Sequence, residues 1–280
     1  YGLYVEASRH FVEMLRQFSP LVEQYSIDEA WVDMTGTERI FGSPRLAAEK
    51  MRQRINDELG FTVNIGISSN KLLAKMAGDF EKPNKVHTLF PEEMEEKMWP
   101  LPVRDLFLVG PATEKKLKVY GIYTIGDLAK ADVAILKKRL GKHGETIWHF
   151  ANGRNADAVT PEPQENKGYG NSLTTPEDVC TLDLAKLYLL SLAETVSARL
   201  RADGVRIRVV SISIRDYNLK FSGHQMTLDT PTDLTSEIYD AAWKCLYELW
   251  DGIPLRHLGI HTTQVTTEIG RQMSFFDKTD

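Results

Sequence analysis

The sequence predicts an α+β protein of several units, and three observations carry that expectation. Strand-like alternation and helix-like spacing follow one another through the first hundred residues. From Pro102 the pattern changes to short helical runs punctuated by Gly110, Gly121, Gly141 and Gly144. Beyond a proline- and polar-rich stretch at 161–168 the order reads β-α-β-β-α-β, which is ferredoxin-like.

Residues 4–18 place Val5, Phe11, Val12, Leu15 and Phe18 on one helical face. At 21–34, Ala30, Val32 and Met34 alternate behind Ile27, the pattern of a hairpin whose turn falls at Asp28-Glu29. Two-residue hairpin turns favour Asn-Gly or Asp-Gly because their central residues need positive φ, so two adjacent acids make a poor one. Ser43-Pro44 supplies a cap and a first-turn proline, and Ala47, Met51, Ile55 and Leu59 recur every fourth residue until Gly60. Residues 62–67 alternate as a strand, and a helix over 70–81 ends at Pro83. The first unit, 1–101, thus reads α-β-β-α-β-α, and 102–160 is a small all-α unit. After the linker at 161–168, the third unit at 169–266 reads as a strand at 169–175, a helix at 183–202, strands at 205–217 and 219–229, a helix at 235–249 and a strand at 255–265. A loose tail follows at 267–280.

A hydrophobic share of 42% over 280 residues suits two or three packed cores. No apolar run approaches the roughly 18 residues of a membrane span, and no charged-then-apolar leader opens the chain. Cys180 and Cys245 have neither disulfide-framework nor zinc-site spacing, so a reduced cytoplasmic protein is expected. A net charge of −5 means that nucleic-acid binding, if present, rests on local basic clusters. Because Tyr1 leads almost at once into a helical pattern, the expectation is a piece of a longer protein.

Four groups of residues point to chemistry. Asp28 and Glu29 offer hard oxygen ligands that suit Mg²⁺; equally, they could be the acids of a solvated turn. Lys71 and Lys75 share one face of a capped helix and Lys82 follows it, an arrangement suited to phosphates or to a solvated face. The run from Leu108 through Gly110 to Lys115, Lys116 and Lys118 resembles a helix-hairpin-helix, in which glycine lets backbone amides approach a DNA phosphate; the bland alternative is an αα-hairpin. In the tail, Gln272, Met273, Phe275 and Phe276 form an apolar cluster that needs a pocket, in a partner or on its own domain. In the third unit Ser211, Ser213 and Arg215 alternate with Val210, Ile212 and Ile214, a polar sheet face that could lie on a sugar-phosphate backbone or simply in water.

Together, SIDEAWVDMTGT, VNIGISSNKLLAKMAGDFEKPNK, LPVRDLFLVGPATEKKLKVYGIYTIGDLA and the terminal QMSFF resemble a Y-family translesion DNA polymerase of the DNA polymerase IV type. The resemblance implies an incomplete palm at 1–101, a helix-hairpin-helix thumb at 102–160 and a little finger at 169–266. It implies Asp28 and Glu29 as ligands of two catalytic Mg²⁺ ions, Lys82 as a triphosphate contact, and primer-template DNA and dNTP as partners. Gln272 to Phe276 resembles the peptide that docks bacterial polymerases on the sliding clamp. It further implies that the first palm strand and the fingers precede Tyr1, so that the intact parent is the DNA-directed DNA polymerase and this chain alone is expected to be inactive. A non-catalytic DNA- and clamp-binding protein and a helix-hairpin-helix repair enzyme are the alternatives.

Overall fold

Backbone meets backbone where a short strand lies on the helix that follows it. In the computed structural model, which describes residues 2–162 and 165–267, this contact anchors the first part of the chain. It opens with α1 (Gly2–Leu15), which begins two residues before and ends three residues before the stretch at 4–18 that the apolar spacing predicts. Strands β1 (Val22–Gln24) and β2 (Ala30–Val32) pair antiparallel, with Val22 opposite Val32. A short α2 (Glu38–Phe41) precedes α3 (Pro44–Leu59), where the Ser43 hydroxyl accepts from the Leu46 amide and Gly60 closes the end in the left-handed region.

Strand β3 (Ile65–Ile67) leads into α4 (Lys71–Gly78), capped by Asn70 Oδ1 accepting from the Leu73 amide at 2.9 Å. The helix stops three residues before the predicted Glu81. The Asn64 side chain accounts for the early end: its Nδ2 donates to Gly78 O at 3.1 Å and to Glu81 O at 2.7 Å, drawing the chain off the helix axis. Strand β4 (Val86–Thr88), not foreseen from the sequence, pairs parallel with β3. It is only three residues long and too short to show a period.

Helix α5 (Met94–Lys97) and a 3₁₀ turn (Val103–Asp105) lead to α6 (Pro111–Lys118), α7 (Ile125–Lys130), α8 (Val133–Leu140) and α9 (Lys142–Ala151). The apolar core of this helical region extends back to Leu72, Leu73, Met76 and Ala77 of α4. The stretches read from sequence as two units therefore share one core, and the chain divides into compact units at 163/164, inside the predicted linker. A second cluster, with Val12, Leu15, Phe18, Val22, Met51 and Ile55, fills the space between α1, α3 and the hairpin.

The second unit follows the predicted element order: β5 (Gly168–Val179), α10 (Leu182–Ala202), β6 (Arg206–Asp216), β7 (Phe221–Thr232), α11 (Thr235–Leu249) and β8 (Leu255–Thr266). Its antiparallel sheet runs β5-β8-β6-β7, so the first and last strands lie side by side. Val210, Ile212, Ile214, Leu258 and Ile260 pack one face against Leu189, Leu192, Val196 and Ala242 of the helices. Among the described residues no helix is long and apolar enough to cross a membrane.

Gly66 makes the β3–α4 contact possible. A Cβ there would stand 1.9 Å from Ala74 O and 2.5 Å from the Gly78 nitrogen, both backbone atoms that cannot swing aside. Overpacking of this kind costs about 3 kcal/mol. Gly66→Ala should lower the unfolding free energy of the first unit by about that amount, measured by urea denaturation. An unchanged midpoint would show that strand and helix can separate without loss.

Candidate active site and nucleic-acid interface

The acidic pair sits in a loop rather than a tight turn. With Gln24 opposite Ala30, residues 25–29 form a five-residue connection, closed by the Tyr25 and Ser26 amides donating to Glu29 O at 2.9 and 3.2 Å. None of these five residues adopts a positive φ. This corrects the sequence expectation: the hairpin does not keep a poor turn, because Asp28-Glu29 is not its turn. Register explains the difference, since the observed pairing buries Val22 and packs Tyr25 against Trp31 in a tilted contact with ring centroids 4.9 Å apart.

Asp28 is exposed, and its Oδ1 accepts from Ser26 Oγ at 2.7 Å. Glu29 is half-covered, and its Oε1 accepts from Lys75 Nζ at 2.6 Å. Lys75 also reaches Asp79 Oδ2 at 2.8 Å, and Asp79 Oδ1 receives Lys82 Nζ at 2.8 Å. The chain of charges runs Glu29, Lys75, Asp79, Lys82 along one groove of about 1370 Å³, which Asp28 also lines. Burial by itself would lower the Lys75 pKa, but Asp79 and Glu29 outweigh it and raise it. For Asp79 burial acts to raise the pKa, and the hydrogen bonds and charges of Lys75 and Lys82 bring it below the ordinary value.

Lys71, one turn before Lys75, is committed elsewhere. Its ammonium grips both oxygens of Glu23 at 2.7 Å and lies 4.7 Å from the centre of the Trp31 ring. Glu23 also accepts from the Thr160 amide at 2.8 Å and from its hydroxyl at 3.1 Å. Burial would raise the Glu23 pKa, but Lys71 and Thr160 hold it down. The two lysines of one helical face are therefore ion-paired to the hairpin, and among the cations predicted for phosphate Lys82 is the most exposed of this groove.

Sequence reasoning missed Asp79 and Asn64 as parts of this site. Asp79 was within reach, standing four residues after Lys75 and three before Lys82. Asn64 and Glu23 act across the fold and leave no local signal. Among the described residues, no group of three or more His, Cys, Asp or Glu could hold a metal ion.

In the helical region, Gly110 precedes α6 with extended backbone and open space around its α-carbon. Lys115, Lys116 and Lys118 are all exposed, but Lys118 pairs with Glu114 at 2.8 Å, which leaves Lys115 and Lys116 as the stronger pair. Thr113 Oγ1 lies 3.5 Å from His143 Nε2, so the first turns of α6 and α9 meet. The sequence did not reveal that meeting of two helix N-termini.

On the sheet, Ser211, Ser213 and Arg215 alternate away from the core as predicted. Ser211 stands opposite His261 and Gln225, Ser213 opposite Gly259 and Gly223, and Arg215 opposite His257 and Phe221. A Cβ at Gly259 would meet Ser213 Oγ at 2.7 Å and Ser172 Cβ at 2.9 Å, so the middle of this face is flat by necessity. Arg215 lies over the Phe221 ring, 5.2 Å from its centre. Burial first, then the charges of Arg215 and His261, lower the His257 pKa below its ordinary value. Gln272, Met273, Phe275 and Phe276 lie outside the described residues.

The impB/mucB/samB family model matches residues 1–79, the IMS family HHH motif residues 91–122, and the impB/mucB/samB C-terminal domain residues 166–275. DNA polymerase IV of Clostridium acetobutylicum is 38% identical over 100% of this chain and 71% of its own length. That of Moorella thermoacetica is 37% identical over 100% of this chain and 70% of its own. The chain belongs to the Y-family DNA polymerases of the DNA polymerase IV type. Within that family, DNA polymerase IV 2 of Bacillus subtilis is 37% identical over 98% of this chain and 68% of its own length. A solved Y-family DNA polymerase chimera shares the fold with a TM-score of 0.81, covering 95% of this chain and 77% of its own at 20% identity.

Proposed function

We propose that the chain serves DNA-directed DNA synthesis of the translesion kind, in which a dNTP is joined to a primer 3′-hydroxyl. The observation that carries this reading is one groove lined by the Asp28 and Glu29 carboxylates and the Lys82 ammonium, in a chain of this family. Asp28 and Glu29 fit Mg²⁺ chemically: both are hard oxygen donors, and among the described residues each keeps one carboxylate oxygen without a protein hydrogen bond. Mg²⁺ is held by one or two carboxylates together with substrate phosphates, so a pair of acids suits it. Two such ions, when bound, would neutralise phosphate charge and make the attacking hydroxyl more acidic.

The chain's own residues do the rest. Lys75 holds one oxygen of Glu29 and limits where its carboxylate can point. Lys82 offers a compact charge to the triphosphate from the groove rim. Amides at the starts of α6 and α9, with Lys115 and Lys116, suit duplex phosphates, and the Ser211, Ser213 and Arg215 face suits a second stretch of backbone. Division of the chain into palm, thumb, linker, little finger and tail at 1–101, 102–160, 161–168, 169–266 and 267–280 belongs to this reading. The tail, on its sequence alone, is proposed to bind a bacterial sliding clamp.

In the full-length protein, Asp28→Ala should reduce primer extension roughly 100-fold or more while primer-template binding persists. Undiminished extension would remove Asp28 from the metal site, and DNA binding by a full-length wild-type protein that never extends a primer would favour the non-catalytic binding module. Lys115→Ala with Lys116→Ala should flatten the plot of log affinity against log salt by roughly one to two units; an unchanged slope would place the duplex elsewhere. Deleting residues 271–280 should abolish clamp binding in a pull-down with purified clamp, and retained binding would refute the tail assignment.

A further inference from the structure

We infer that Asp79 is a positioning residue for the nucleotide triphosphate, acting through Lys82; the inference rests on the reading of Lys82 given above. A lysine ammonium ends a flexible four-carbon stem, and the Lys82 side chain is 61% exposed. Left alone it would sample many rotamers and lose that freedom each time a phosphate bound. Asp79 Oδ1 holds it at 2.8 Å.

The carboxylate doing the holding is itself braced. Its other oxygen, Oδ2, accepts from Lys75 Nζ at 2.8 Å, and Lys75 is fixed in turn by Glu29 Oε1 at 2.6 Å. The Asp79 amide donates to Met76 O at 3.2 Å, which pins its backbone to the end of α4. Beyond it, Asn64 Nδ2 binds Gly78 O and Glu81 O while Asn64 Oδ1 accepts from the Lys85 amide at 3.1 Å, so the loop carrying Lys82 is tied on both sides. A carboxylate oxygen and a phosphate oxygen make the same kind of contact with an ammonium. An arriving triphosphate therefore exchanges one anion for another at a cation already in place. The Lys75 contact lets Asp79 give up Lys82 without being left unpaired. A merely competing Asp79 would weaken nucleotide binding; a positioning one strengthens it, because less freedom remains to be lost.

The test is equilibrium titration of dATP into the full-length protein bound to a dideoxy-terminated primer-template, alongside steady-state extension. Asp79→Asn keeps the shape and removes the charge. It should weaken dATP binding and raise KM roughly threefold to tenfold, with kcat within about twofold and the melting temperature little changed. Asp79→Glu should recover most of the affinity. In a Lys82→Ala background Asp79→Asn should add nothing, since the two act as one unit. Unchanged or tighter dATP binding by Asp79→Asn, or an equal loss in both backgrounds, would overturn the inference. Lys82→Ala with wild-type dATP affinity would instead overturn the triphosphate assignment on which it rests.

Discussion

Everything in the candidate active site depends on how closely α4 lies on β3. Gly66 presents no side chain, and the carbonyl of Ala74 and the amide of Gly78 occupy the space a Cβ would need. Only at that distance do the lysines on the hairpin-facing side of α4 reach carboxylates on the β1–β2 hairpin, 46 to 48 residues away in sequence. Trp31 adds a direct tie, its indole nitrogen donating to Lys71 O at 2.9 Å. The strand–helix contact is steric and the hairpin–helix contact is ionic. The second cannot form unless the first is made.

The two ion pairs on α4 differ in what they leave available. Lys71 and Glu23 are nearly withdrawn from solvent, at 14% and 15% side-chain exposure, and each satisfies the other with Thr160 completing the set. Removing one partner there would leave an uncompensated charge, at a cost of roughly 3 kcal/mol or more. This pair is architecture: it closes the hairpin onto α4 and holds the segment that leaves the helical region. Lys75 and Glu29 are more open, and Lys75 divides its charge between two acids. A carboxylate sharing a cation keeps an oxygen for another ligand, which is the property an active site needs.

The surfaces suited to nucleic acid are built differently in the two units. Around α6 the means are helix starts and exposed lysines, with one of three lysines already neutralised by Glu114. On the sheet the means is flatness: Ser172, Gly259, Ser213 and Gly223 form a row across four strands with almost no side-chain height. An overall charge of −5 is compatible with both, because phosphate contacts are decided by what lies within a Debye length of them.

Local chemistry was legible in the sequence because its signals are local. The Ser43 cap, the Gly60 stop, the βαββαβ order and the alternation of Ser211, Ser213 and Arg215 with apolar neighbours all depend on residues a few positions apart. Asp28, Glu29 and Lys82 were named from their setting in short motifs, and they do line one groove. What the sequence could not decide was pairing. The hairpin register, and with it the five-residue loop that carries the acids, was chosen by burial of Val22 and the packing of Tyr25 against Trp31. The parallel partner β4, the withdrawal of Lys71 into Glu23, and the meeting of Thr113 with His143 likewise join residues 21 to 48 positions apart. Such contacts are set by which surfaces the packed backbone brings together, and no window of neighbouring residues contains that information.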